Sequence, residues 1–114
     1  MDKNCIFCKI IAGEIPSKKV FENEDMIVIS DINPQAKCHY LLIPKTHYKN
    51  VSVLSAQNSE LLARCLKTLS TLTDSLGLNN GYRLVTNCGE DGRQSVEHIH
   101  IHILGGQKLS ETMA

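Results

Sequence analysis

Apolar and polar positions change period several times along this chain, and each change marks an element. Residues 6–12, "IFCKIIA", are apolar at Ile6, Phe7, Ile10 and Ile11. That spacing predicts a short helix ended by Gly13. Pro16 then forces extension, and "KKVFENEDMIVISDI" predicts a hairpin, with strands at Val20–Glu22 and Met26–Ser30 around a turn at Asn23–Asp25. "NPQAK" is a loop and "HYLLIPK" a further strand, stopped by Pro44. Across residues 55–76, Leu61, Leu62, Cys65, Leu66, Leu69, Leu72 and Leu76 recur at three- and four-residue steps. This is the stripe of one long amphipathic helix, with Ser55 as its N-cap and Gly77 just past its end.

Beyond that helix, "GYRLVTN" predicts a strand, "CGEDGRQS" a glycine-containing loop, and "EHIHIHIL" a last strand. In "SVEHIHIHILGG" three histidines, His98, His100 and His102, fall at every second position. A period of two is that of a β-strand, whose side chains alternate between faces. Ile99, Ile101 and Ile103 are expected to bury one face, and the imidazoles to stand in a row on the other, roughly 7 Å apart at Cα. Helix, strands, helix, strands, without βαβ alternation, indicates an α+β fold. The sheet is antiparallel with about five strands, beside one long and one short helix.

Composition narrows the picture. A chain of 114 residues is expected to form one domain, residues 1–114, with enough buried surface for a core. Twelve basic and twelve acidic side chains give zero formal charge, which argues against nucleic acid or an acidic membrane as a partner. The segment MDKNCIFCKIIAGEIPSKK holds no apolar run of signal-peptide length, and nothing approaches a membrane span; the expectation is cytoplasmic. Five cysteines, Cys5, Cys8, Cys38, Cys65 and Cys88, are then thiols or metal ligands.

The chemistry gathers around the histidine run. Asn87, Gly89, Gly92, Arg93, Gln94 and Ser95 lead into it. Glycines let backbone N–H groups approach an anion, and Asn, Gln and Ser add neutral donors. A neutral imidazole is a competent nucleophile near pH 7, and beside such a loop it is equipped to attack phosphorus. Two His at i, i+2 on a strand also suit a Zn²⁺ ion; spacing alone does not separate these readings. Cys5-x-x-Cys8 is an independent signal. Its spacing suits two thiolates on one Zn²⁺, against a redox pair or two unrelated thiols.

"QSVEHIHIHIL" resembles the signature of the histidine-triad nucleotide hydrolases and transferases, His-φ-His-φ-His-φ-φ with φ apolar. "CIFCKIIAGEIPSKKVFENEDMIVISDINPQAKCHYLLIPKTH" is similar to that family's N-terminal half, so the resemblance spans nearly the whole chain. Gly105 and Gly106 follow Leu104 where the dinucleoside-triphosphate hydrolases carry a Pro-Arg-like ending. The chain therefore resembles the nucleoside phosphoramidase-like (protein kinase C inhibitor-like) branch.

The resemblance implies His100 as nucleophile toward a nucleotide α-phosphate. His102, Asn87 and Ser95 would hold phosphate oxygens or the leaving group, and His39 would lie beside His100 to fix its ring. It implies that Asp31 accepts the ribose hydroxyls, that Phe7, Ile10, Ile29 and Ile32 enclose the base, and that Arg93 and Gln94 border the nucleotide. Cys5, Cys8, His47 and His98 would hold one structural Zn²⁺.

The activity so implied is hydrolysis or nucleotidyl transfer on purine nucleoside monophosphates or their amidates, through a nucleotidyl-histidine intermediate. Alternatives are a dinucleoside polyphosphate hydrolase, or a nucleotide-binding regulatory module with incidental turnover. Glu97 and Arg93 depart from the family pattern on the leaving-group side. A homodimer through the long helix and a neighbouring strand is implied, and the leucine stripe, with Leu69 at its centre, has apolar surface to offer it.

Overall fold

The computed structural model describes residues 4–112. Its elements run α1 (Ile6–Ile11), β1 (Lys19–Glu22), β2 (Met26–Ser30), β3 (Cys38–Pro44), a 3-10 turn at Val51–Val53, α2 (Ser59–Leu69), β4 (Tyr82–Val85) and β5 (Ile101–Gly105). The five strands form one sheet in the order β1-β2-β3-β5-β4, antiparallel at every pairing. This is the α+β architecture expected. The hairpin between β1 and β2 is set by Asn23, whose Oδ1 accepts the amides of Asp25 at 2.9 Å and Met26 at 3.0 Å, an Asx turn of the usual kind.

Cross-strand partners share a face, and the register therefore assigns the side chains to two layers. Val28↔Leu42↔Ile101 and Tyr40↔Ile103 face one way. There Met26, Val28, Leu42, Ile101 and Ile103 pack with Leu61, Cys65 and Leu69 of α2. Ile27↔Ile43 and Ile29↔Leu41↔His102 face the other way, where they meet Cys5, Phe7, Cys8 and Ile10 from α1 and its entry. Cys65 is fully buried, and burial pushes its thiol up to about 11; it is a core residue.

Two elements depart most from their expected bounds. The long helix spans 59–69, not 55–76. Asn58, not Ser55, occupies the N-cap position, and its Oδ1 accepts the Ser55 amide at 2.6 Å. At the other end, hydroxyls of Ser70, Thr71 and Ser75 donate to the carbonyls of Lys67, Thr68 and Leu72. Such local bonds compete with the helix ladder, and the chain continues as turns while Leu72 and Leu76 stay on the core.

The last strand begins at Ile101, not at residue 97, so the imidazoles do not form a uniform row on a strand face. His98 and His100 precede the ladder because their backbone neighbours bond elsewhere. Ile99 N–H donates to Tyr48 O at 2.6 Å, and His100 O accepts from Thr86 Oγ1 at 2.8 Å.

The glycine pair after β5 has a packing reason. A Cβ at Gly105 would meet Leu78 Cδ2 at 2.7 Å, and one at Gly106 would meet Cys38 Sγ at 2.6 Å on a backbone already at φ +77°.

Candidate functional site

The α1-side face carries the histidines, and backbone groups orient the rings of His98, His100 and His39. His98 is fully buried. Its Nε2–H donates to Pro44 O at 2.8 Å, so in the neutral ring Nδ1 keeps the lone pair. That nitrogen lies 3.3 Å from Cys5 Sγ, 3.6 Å from Cys8 Sγ and 3.1 Å from His47 Nδ1. Cys8 Sγ is in turn 3.3 Å from His47 Nδ1. Ligands on a tetrahedral zinc stand about 3.3 Å apart for two nitrogens and about 3.6 Å for nitrogen and sulfur, from bonds of about 2.0 and 2.3 Å.

The donor set therefore fits a metal ion of that kind. The four atoms, Cys5, Cys8, His47 and His98, lie within 4.8 Å of one another. A ligating His that donates its other nitrogen to a carbonyl is also the usual outer arrangement.

His100 is 4% exposed. Its Nδ1–H donates to His98 O at 2.8 Å, leaving Nε2 as the basic nitrogen. The Phe7 ring stands edge-on to it, with centroids 4.9 Å apart. Burial holds the His100 ring below the ordinary 6.5, against opposing help from the His98 carbonyl and the Asp31 charge.

His102 is set from β3. The Gln35 backbone N–H donates to His39 Nδ1 at 3.0 Å, which places the His39 hydrogen on Nε2. That Nε2 stands 2.9 Å from His102 Nδ1 and 3.3 Å from Asp31 Oδ2. His102 Nδ1 is thus an acceptor, and the neutral ring carries its own hydrogen on Nε2. Its affinity for a further proton is lowered by burial first, then by His100 and His39, while Asp31 raises it. His39 was expected beside His100; the ring it bonds is that of His102, because His39 and His102 lie on adjacent strands and point to the same face.

Other residues singled out from sequence are placed as follows. Phe7, Ile10 and Ile29 are buried in the α1-side cluster, whereas Ile32 is wholly exposed. Ser95 borders a groove of about 310 Å³ together with Asn4, Cys5, Ile6, Val96 and Glu97. Arg93 is exposed and takes a left-handed backbone, φ 58°, and Asn87 is half-buried.

Gln94, expected to border the nucleotide, is bonded within its own loop and to Lys49 and Asn50. Its Nε2 donates to Lys49 O at 2.6 Å and Val96 O at 2.9 Å, and its Oε1 accepts from Gly89 N at 3.0 Å and Asn50 Nδ2 at 3.3 Å. Both amide hydrogens and the oxygen are committed to holding the loop. Sequence reasoning missed Thr86, Asn50, the Pro44 carbonyl and the Gln35 amide. Thr86 and Asn50 carried no spacing to mark them, and backbone groups carry none at all.

The chain matches, over residues 4–114, the family model described as scavenger mRNA decapping enzyme C-term binding. Protein HitA of Neisseria gonorrhoeae is 41% identical over 102 residues, covering 90% of this chain and 95% of that protein. A solved HIT family hydrolase from Clostridium thermocellum is 42% identical, with a TM-score of 0.94 and 100% of each chain covered. A histidine triad nucleotide-binding protein from Candida albicans is 33% identical, with a TM-score of 0.78 over 97% of this chain and 87% of that one. With its fold, its three alternating histidines and these matches in agreement, the chain belongs to the histidine triad (HIT) family.

Proposed function

We propose that this chain hydrolyses purine nucleoside phosphoramidates at the α-phosphate, or transfers their nucleotidyl group, through a nucleotidyl-His100 intermediate. The observation that carries this reading is the bond from His100 Nδ1–H to the His98 carbonyl. It fixes the tautomer with the Nε2 lone pair available, which a nucleophilic imidazole requires. In the first step Nε2 bonds to phosphorus, the P–N bond breaks, and the leaving amine takes a proton from charged His102. In the second, water attacks phosphorus, the Nε2–P bond breaks, and the water's proton returns to His102.

Asn87 and Ser95 donate to phosphate oxygens in this reading, Asp31 accepts the ribose hydroxyls, and Phe7, Ile10, Ile29 and Ile32 border the base. Structural Zn²⁺ is held by Cys5, Cys8, His47 and His98, tying the start of α1 to the segment before β5. The setting is cytoplasmic; among the described residues no helix is long and apolar enough to cross a membrane.

Rapid-quench kinetics test the reading. Wild type should show a burst of amine release and a trappable covalent adenylate, both absent in His100→Ala, with turnover down by about ten-thousandfold or more. Near-normal turnover in that variant, or a strong preference for dinucleoside polyphosphates, overturns it.

The homodimer is part of the same reading, but not through the whole leucine stripe. Leu61, Cys65 and Leu69 are consumed by the chain's own sheet, so a charge at Leu69 would unfold the protein instead of splitting a dimer. Leu66 on α2 and Tyr82 and Leu84 on β4 stay exposed and are the surface left for a second copy. Leu66→Glu should yield a folded monomer by light scattering; a wild type that is monomeric at all concentrations overturns the dimer.

A further inference from the structure

A hydrogen-bonded pair of imidazoles has room for one hydrogen between its facing nitrogens, yet the acid step proposed above asks the His39–His102 pair to hold one more. Because His39 Nδ1 accepts the Gln35 amide, the His39 hydrogen stays on Nε2 in either state. In the neutral pair it is donated to His102 Nδ1, 2.9 Å away. When His102 is charged, Nδ1 carries a hydrogen of its own. Two N–H groups then face each other, and both need a different acceptor.

The Asp31 carboxylate stands at that point. Its Oδ2 lies 3.3 Å from His39 Nε2 and 3.9 Å from His102 Nδ1, while its Oδ1 is anchored by the Asn33 amide at 2.8 Å. The side chains of Asp31 and His39 are only 15% and 4% exposed, so water is poorly placed to do the same work. The other titratable group against His102 is His100, just ahead of the same strand, and it opposes a positive charge on His102.

We propose that Asp31 is a positioning residue for the acid–base cycle: its Oδ2 receives the ring hydrogens of the His39–His102 pair whenever His102 is charged. The proposal rests on His102 as the acid of the proposed function and gives Asp31 a task beyond the ribose. In the charged pair, His39 Nε2–H and His102 Nδ1–H both turn to Oδ2, and His102 Nε2–H is aimed at the leaving nitrogen. As the P–N bond breaks, its electron pair goes to nitrogen and the Nε2 proton follows. His102 is left neutral, with its hydrogen held at Nδ1 by Oδ2 and a bare Nε2. That nitrogen takes the proton of the attacking water when the Nε2–P bond of His100 breaks. One nitrogen thus serves as acid and then as base.

Two adenylates with the same ribose and different leaving groups separate this from ribose binding. Adenosine phosphoramidate releases an amine that needs a proton, and the nitrophenyl ester of adenylate releases a phenolate that does not. The water step and the ribose are common to both substrates, so the first turnover is compared: Asp31→Asn should lower the burst rate on the amidate by about ten- to a hundredfold more than on the ester, a share of what proton transfer contributes. Asp31→Glu should recover part of that difference. Equal losses on both substrates, or a loss confined to KM, overturn the proposal and leave Asp31 with the ribose alone.

A second arm needs no turnover. By ¹⁵N-histidine NMR of the ligand-free protein, the pH at which His102 is half-protonated should fall in Asp31→Asn, in a variant whose amide spectrum remains folded. An unchanged value overturns the proposal. If neither substrate yields a covalent species on His100, the proposed function fails, and the NMR arm alone decides the role of Asp31.

Discussion

Two groups of side chains flank His100, and both bring nitrogen, sulfur or oxygen donors within 4.8 Å of one another: Cys5, Cys8, His47 and His98 on one side, Asp31, His39 and His102 on the other. By distance alone either could hold a cation. They differ in the backbone group behind the ring. In the first, a carbonyl, Pro44 O, takes the His98 Nε2 hydrogen and leaves Nδ1 bare toward two thiols. In the second, an amide, Gln35 N–H, fills the His39 Nδ1 lone pair and keeps a hydrogen on the nitrogen that faces the other two groups. A nitrogen that carries hydrogen cannot bind metal. A carbonyl behind an imidazole therefore frees the lone pair of its other nitrogen, as at His98 and His100, and an amide keeps a hydrogen on it, as at His39.

This contrast can be broken by exchanging readouts. The largest effect is expected at His102, where alanine removes the proton donor; turnover of the amidate should fall by about a hundred- to ten-thousandfold. The melting temperature should move little, since the side chain is partly exposed and not in either apolar cluster. If His102→Ala instead unfolds the protein while leaving the rate of the surviving fraction intact, the second group is structural and the contrast fails.

The next effect belongs to the first group. Chelation, or Cys8→Ser, should lower the melting temperature by about 10 °C or more, because metal binding contributes directly to folding. The nucleotide preference of the folded fraction should stay as it was. Zinc-free protein of undiminished stability would remove the distinction between the two groups.

What the sequence made legible follows from how each feature is encoded. The alternating histidines and the Cys-x-x-Cys pair are side chains with chemistry at fixed spacing, and the sheet-forming stretches announce themselves by β-branched runs such as Met26–Ser30. Periodicity misleads where the core continues after the backbone has changed. Leu72 and Leu76 extend the leucine rhythm through a region of turns, and His98–His100 extend the alternation ahead of β5 while their backbone groups bond to Tyr48 and Thr86.

The partner of His39 was not legible at all. It depends on the register of β3 against β5, in which His39 opposes Leu104 and Leu41 opposes His102, and on an amide that has no letter in the sequence. For Gln94 the limit is the opposite one. A side chain able to donate to phosphate is equally able to clamp its own loop, and only the four bonds show which it does.

The order of the strands gives the site a place in time as well as in space. β1, β2 and β3 form a meander of neighbours in the chain, and such contacts close at little entropic cost. The His39–His102 bond spans 63 residues, and the Cys5–His98 contact spans 93. Contacts of that separation are the slow ones in folding. β5 must enter between the meander and β4, carrying His100 with it, before either histidine group has all its members. A chain interrupted before that insertion lacks Ile101 and Ile103 of the core, and with them His98 and His102, the last members of the two groups.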